Sequence, residues 1–388
     1  MKAKKPPLRV VEGAPSWSFA SDCVEAHLTR DGGHLAPLLF RTPRGVVRPM
    51  AIAPWARERL PADIDPLLGV LRGDFFCAPF GGNAEPWRGK KFPTHGETAS
   101  GRWTSAELDS TAGGVEFRAR MRTRLLPGQV TKCISLRRGE TNVYCRHILE
   151  GFSGPLCVGH HAMLSFSRER GPGFISLSPW REGRVFPEAF ETPANGGYSA
   201  LKAGAPFASL SRVPLAAGGF ADLSEYPARE GFEDLVMVSS RGRHGLAWTA
   251  VCFPKAGYVW FALKDPRTLA STVLWHSNGG RHYPPWNGRH RRVLGLEEVT
   301  AYFHLGQARS VAANPLSRKG IATVLRLRPN RPLSINYVMG VVSIPAKFDR
   351  VRTIQVAGGG VSIKAASGIE VFHPVSLEFF KPMPNEAL

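Results

Sequence analysis

The chain has 388 residues, carries 50 Lys and Arg against 31 Asp and Glu for a formal charge of +19, and is 43% hydrophobic, which allows one large all-β domain or two ordinary ones with a substantial core. No run approaches the ~18 consecutive apolar residues of a membrane helix, and the N-terminal MKAKKPPLRVVEGAPSW has charge without an apolar stretch behind it, so neither membrane spanning nor signal-led export is expected. The 6 cysteines form no CxxC pair and describe no disulfide scaffold, so reduced thiols in a cytoplasmic protein are expected.

Taken in chain order, residues 55–60 are the best helical candidate, and a short one. Residues 71–103 hold too many Gly and Pro for a central strand. Over 115–124 the odd positions read Val, Phe, Ala, Met, Thr and the even ones Glu, Arg, Arg, Arg, Arg, the pattern of a half-buried strand with a basic outer face. Residues 142–149 follow as a strand, and 171–219 form the loop-richest stretch. Further strands are expected at 235–239, 246–253, 258–263, 321–327, 335–342 and 369–377, most of them separated by Gly, Pro, Asn or Asp. Many strands with turn-rich connections and no alternating helices predict a large antiparallel β-sandwich. With no internal repeat and no dividing linker, residues 1–388 read as one domain, the last strands, from about 306, being additions of open purpose.

The chemistry concentrates in residues 71–103, LRGDFFCAPFGGNAEPWRGKKFPTHGETASGRW, which combine Arg72, the turn formers Gly81 and Gly82, Asn83, His95, Trp87 and Trp103. Loops bearing His, Arg, Asn and Trp on a rigid β scaffold are where small-molecule sites are built. A second cluster, LWHSNGGRHYPPWNG, offers Trp275, His276 and Trp286, whose rings suit the C–H face of a sugar.

The first of these segments resembles the aldose 1-epimerase (galactose mutarotase-like) superfamily, most closely its hexose-6-phosphate mutarotase branch. The motifs that carry the resemblance are Arg72-Gly73, Pro79-Phe80-Gly81, Pro93-Thr94-His95-Gly96 and Arg102-Trp103. The family's arginine falls three residues after His-Gly, where this chain has Ala99 or Ser100, so that its role would pass to Arg102. Gly159 to Leu164, with His160-His161, is similar to the family's second histidine motif. Leu294-Gly295-Leu296-Glu297 is similar to the stretch ending in its catalytic glutamate, and Asp234, with Glu233 beside it, takes the place of its acidic substrate ligand. The likeness runs over roughly residues 22–305.

What the resemblance implies is a mutarotase-type β-supersandwich that interconverts the anomers of an aldose or aldose phosphate. Opening the hemiacetal needs a base at the anomeric hydroxyl and an acid at the ring oxygen. The implied base is Glu297 and the implied acid His161, with His95 at the ring oxygen or its neighbour; His160 is the alternative to His161, since adjacent residues of a strand face opposite ways. Arg72, Asn83, Asp234, Trp275 and Trp286 are the implied sugar ligands. The expected partner is a small-molecule sugar or sugar phosphate; no cofactor or metal is required, and no membrane partner or oligomeric state is implied.

Three other readings have to be weighed. A carbohydrate-binding protein could keep the pocket and lose the catalysis, but it would have no need for His95, His161 and Glu297 together. Cys145, His147, Cys157, His160 and His161 are zinc-binding residue types within one short stretch, but they lack the tight CxxC loops of structural zinc sites. The charge is densest at residues 2–9, on the 118–124 strand face and at 289–292, without the interleaved aromatics of single-strand binding, so no specific nucleic acid is expected.

Overall fold

The computed structural model describes residues 4–227, 229–242 and 245–382. Two antiparallel sheets dominate. The larger has nine strands in the order Glu225–Tyr226, Gly173–Leu177, Ala247–Phe253, Tyr258–Lys264, Leu333–Ser343, Asn142–Glu150, Gly128–Arg137, Gly114–Thr123 and Thr104–Thr111. The smaller has six: Trp180–Val185, Phe232–Ser240, Ser271–Asn278, Val293–Thr300, Val158–Ser165 and Phe76–Cys77. Alternation explains their packing. In Gly114–Thr123, Phe117, Ala119 and Met121 are buried while Arg118 and Arg122 are exposed, as the period of two requires.

One continuous core joins the two sheets, with Phe117, Ile134, Ile335, Tyr337 and Trp260 from the larger meeting Leu164, Val236, Leu274, Leu294 and Leu296 from the smaller. This is the β-sandwich expected from the sequence. A five-stranded meander from Leu8–Val11 to Gly45–Val47 adds Trp17 and Phe19, the latter stacked on Phe117 at 4.9 Å. Each main sheet is also apolar on its outer face and must be covered there. Val259, Phe261, Leu263 and Val338 of the larger are capped by Ile354, Val361 and Ile363 of a three-stranded sheet, Val351–Ala357, Gly360–Ala365 and Glu370–Pro374. The segment from 306 onward therefore supplies both this cover and Leu333–Ser343, a central strand of the larger sheet.

Two local expectations fail. Residues 55–60 form a turn rather than a helix, because Trp55 is fully buried with its indole N–H donating to the Leu68 carbonyl, which fixes the chain by tertiary packing. The strand expected at 321–327 is only Leu325–Leu327, since Ile321 is held in a turn by Leu316 and packs under the outer face of the smaller sheet. Helices are short, at Pro66–Val70, Glu97–Ser100 and Gly306–Val311, and none among the described residues is long and apolar enough to cross a membrane.

Candidate active site

The site lies on the outer face of the six-stranded sheet, and strand parity selects its residues. His161 is paired with Glu297, Glu297 with Val273, and Leu235 with Trp275. Partners in register share a face, as do positions two apart along a strand, so His161, Glu297, Trp275, Leu235 and Glu233 point one way. Their neighbours His160, Glu298, His276 and Asp234 point into the opposite layer. His160 there meets Asp74 at 2.9 Å, and Glu298 is ion-paired with Lys264.

Residues 71–103 fold over this face as a loop anchored by backbone bonds. The His95 N–H donates to the Gly81 carbonyl at 2.7 Å, and the Gly81 N–H donates to His95 Nδ1 at 3.4 Å, so the neutral ring carries its proton on Nε2. His95 sits at φ +57°, a left-handed conformation uncommon for a side-chain-bearing residue and concentrated at functional sites. Gly96 follows at φ +77°, where a Cβ would stand 2.2 Å from the Ala78 carbonyl oxygen. The turn that aims His95 therefore requires glycine behind it.

Together these elements enclose a cavity with about 470 Å³ of empty space, counting its solvent-open mouth. His95, His161, Glu297 and His304 line it together with Arg281, Trp275 and Trp286. His161 Nε2 lies 3.3 Å from Glu297 Oε1, and the His95 ring stands edge-on to His161 with centroids 4.9 Å apart. Phe75 stacks on His161 at 4.5 Å and holds its plane. Among the described residues, His161 Nδ1 and Glu297 Oε2 are buried without a hydrogen-bond partner, so each keeps the capacity to bond a ligand.

Burial governs the protonation. It pushes the Glu297 carboxyl well above its ordinary range, with Arg281 opposing, and it holds His161 well below the ordinary histidine value, helped by His304. His95 is likewise held low by burial and then by His161, and His304 is lowered to about 4, again by burial. Both shifts favour the uncharged forms of the pair, in which one proton lies between carboxyl and imidazole.

Arg281 is the cavity's fixed cation. Its guanidinium lies over Trp286 at 4.6 Å and Trp275 at 5.4 Å, and its Nε donates to Glu191 Oε1 at 2.6 Å. Glu233 stands behind, accepting from Trp275 Nε1 at 2.8 Å and from the Ser277 hydroxyl at 2.9 Å. Burial raises Glu233 to about 7 against the pull of Arg281.

Of the side chains expected at a ligand, His95, His161, Glu297, Trp275 and Trp286 share this cavity, whereas Arg72, Asn83 and Asp234 are placed elsewhere. Arg72 is wholly buried, with Nη1 donating to the Val11 carbonyl at 3.1 Å and Nε to Val70 at 3.3 Å. Asn83 ties loops together, donating to the Gly81 and Pro93 carbonyls at 3.0 Å each and accepting from the Gln307 N–H at 2.8 Å. Asp234 accepts from the Ala200 and Leu201 N–H groups on the opposite face of the sheet. Arg102 pairs with Asp31 at the surface. Sequence reasoning missed Arg281 and His304. Arg281 sits inside the Trp- and His-rich segment already singled out, so composition pointed to its neighbourhood; nothing in the pattern marks His304.

No protein-family model and no curated protein matches the chain. Solved structures do. A protein from Klebsiella pneumoniae provisionally named an aldose 1-epimerase superposes with a TM-score of 0.58 at 15% identity, over 88% of this chain and 83% of its own. One from Salmonella typhimurium, provisionally named a mutarotase, gives 0.55 at 10% identity over 87% and 94%. A galactose mutarotase-like protein from Lactobacillus casei gives 0.53 at 12% identity over 84% and 100%. The chain has the galactose mutarotase-like fold.

Proposed function

We propose that the chain interconverts the α and β anomers of a small aldose by acid/base ring opening. The observation that carries this reading is the convergence of His95, His161 and Glu297 on one cavity. Transfer of the shared proton across the 3.3 Å between Glu297 and His161 gives a carboxylate and an imidazolium without exchange with solvent. In that form Glu297 takes the proton of the anomeric hydroxyl while His161 protonates the ring oxygen. The open aldehyde then turns about its C1–C2 bond, and the same two groups close the ring in reverse.

His95, as an Nε2–H donor, supports the ring oxygen or a neighbouring hydroxyl. Trp275 and Trp286 supply aromatic wall beside the C–H surface of the ring, and Arg281, lying over both, fixes its orientation. Positioned acid and base groups each contribute about 10²–10⁴-fold, ample for a reaction that already proceeds slowly in water. The test is anomeric exchange by NMR or polarimetry on freshly dissolved α-glucose or α-galactose. Purified protein shortens the approach to equilibrium in proportion to its concentration; saturable sugar binding with no acceleration would make the chain a binding protein.

A further inference from the structure

The polar side chains that line the cavity are Thr94, His95, His161, Arg281, Glu297 and His304. His95, His161 and Glu297 are committed to the anomeric carbon and ring oxygen under the reading above. Much of the remaining wall is hydrocarbon: Leu67, Leu68 and Leu71 come from or adjoin one short helix, Pro66–Val70, and Phe190 and Leu235 join them. Aromatic faces suit C–H groups, but branched aliphatic side chains offer a hydroxyl nothing in exchange for the water it loses.

Charge restricts the ligand further. Among the described residues lining the cavity, Arg281 is the one Lys or Arg, and the histidines there are held neutral by burial. Arg281 is already matched by Glu191 at 2.6 Å, with Glu233 close behind it. A phosphate dianion is bound by several cationic or N–H donors; here it would meet a single guanidinium whose charge Glu191 already balances.

We infer that the cavity selects a neutral sugar with an apolar flank, of the 6-deoxyhexose kind, over its fully hydroxylated parent and over a sugar phosphate. The inference rests on the proposed anomer interconversion and names its substrate class. Of the aldose and aldose phosphate that the sequence resemblance leaves open, it favours the unphosphorylated one.

The test compares matched sugars in the anomeric-exchange assay: D-glucose, 6-deoxy-D-glucose and D-glucose 6-phosphate, then D-galactose and D-fucose. A hydrophobic pocket rejects an added hydroxyl only moderately, so kcat/KM for each deoxy sugar is expected to exceed that of its parent by about 10- to 100-fold, with the phosphate slowest. Leu68 is only half-buried, so Leu68→Asn is compatible with folding and is expected to shrink the deoxy preference. A parent hexose or the phosphate turned over fastest, or an unchanged preference in Leu68→Asn, would overturn the inference and leave the reaction standing. Should no sugar be accelerated, the reaction falls, and calorimetric affinities over the same panel still decide selectivity: deoxy sugars bound tightest support it, and equal affinities or a tighter phosphate refute it.

Discussion

His161 and Glu297 are register partners on adjacent antiparallel strands, and their side chains meet at 3.3 Å, each keeping one buried atom unpartnered among the described residues. Because Cβ atoms directly opposite in a ladder are only about 4.5–5.5 Å apart, the sheet itself holds this acid–base pair together, independent of the loops around it. The loop 71–103 then adds His95, and the segment after Ser271–Asn278 adds Arg281 and Trp286.

That coupling has a signature in pH. Under the proposed mechanism the pair works while it holds one proton, a state lost when His161 gains a second proton or Glu297 gives up the shared one. Burial lowers the first event below the ordinary histidine value of 6.5 and raises the second above the ordinary glutamate value of 4.5. We predict a broad plateau in kcat/KM whose acid limb lies below 6.5 and whose alkaline limb lies well above 4.5. A profile that simply rises through 4.5, as for a solvated glutamate base, would contradict a shared proton.

Arg281 and Arg72 should separate function from stability. Arg281→Lys keeps the charge beside Glu191 but withdraws the planar fork from Trp286 and from the ligand. Loss of one charge-assisted hydrogen bond, about 1.5–3 kcal/mol, predicts a KM raised roughly 10- to 100-fold. Arg72→Lys removes the bridge between the Val11 and Val70 carbonyls and should lower thermal stability with KM unchanged. The opposite pattern in steady-state kinetics and thermal melts would return Arg72 to the site.

Acid should destabilise the fold through its buried histidines. Burial lowers His34 and His290 to about 3 and His276 and His304 to about 4. In the unfolded chain they take up protons near 6.5, which the folded chain resists, so stability present above that value is lost as pH falls toward the folded values. Each fully shifted group contributes about 1.4 kcal/mol per pH unit in that window. Urea unfolding at pH 7.5 and 5.5 is expected to show a clear loss at the lower pH; equal or greater stability at 5.5 would refute the assignment.

The sandwich was legible because its strands alternate: Phe117, Ala119 and Met121 declare an inner face without any tertiary knowledge. The grouping of His95, His161 and Glu297 in one cavity was legible only through motif likeness, since His161 and Glu297 lie far apart in sequence and their register is a tertiary fact. Parity explains what was misplaced. Asp234 and His276 are one residue out of step with Leu235 and Trp275, and one step in a strand exchanges cavity for core. Arg72 looked like a ligand in a loop-rich segment, but buried carbonyls need donors and an arginine supplies them. The turn at 55–60 was set by Trp55 packing, which no local periodicity reveals.

The most direct test is Glu297→Gln in the anomeric-exchange assay, with sugar affinity measured in parallel. Glutamine preserves the size of the side chain and most of its hydrogen bonding but cannot pass a proton to or from His161. Our account predicts that the acceleration over the uncatalysed rate falls by about 10²–10⁴-fold while sugar binding changes little, as for a group that acts mainly in the transition state. A Glu297→Gln protein as fast as the parent would contradict the account.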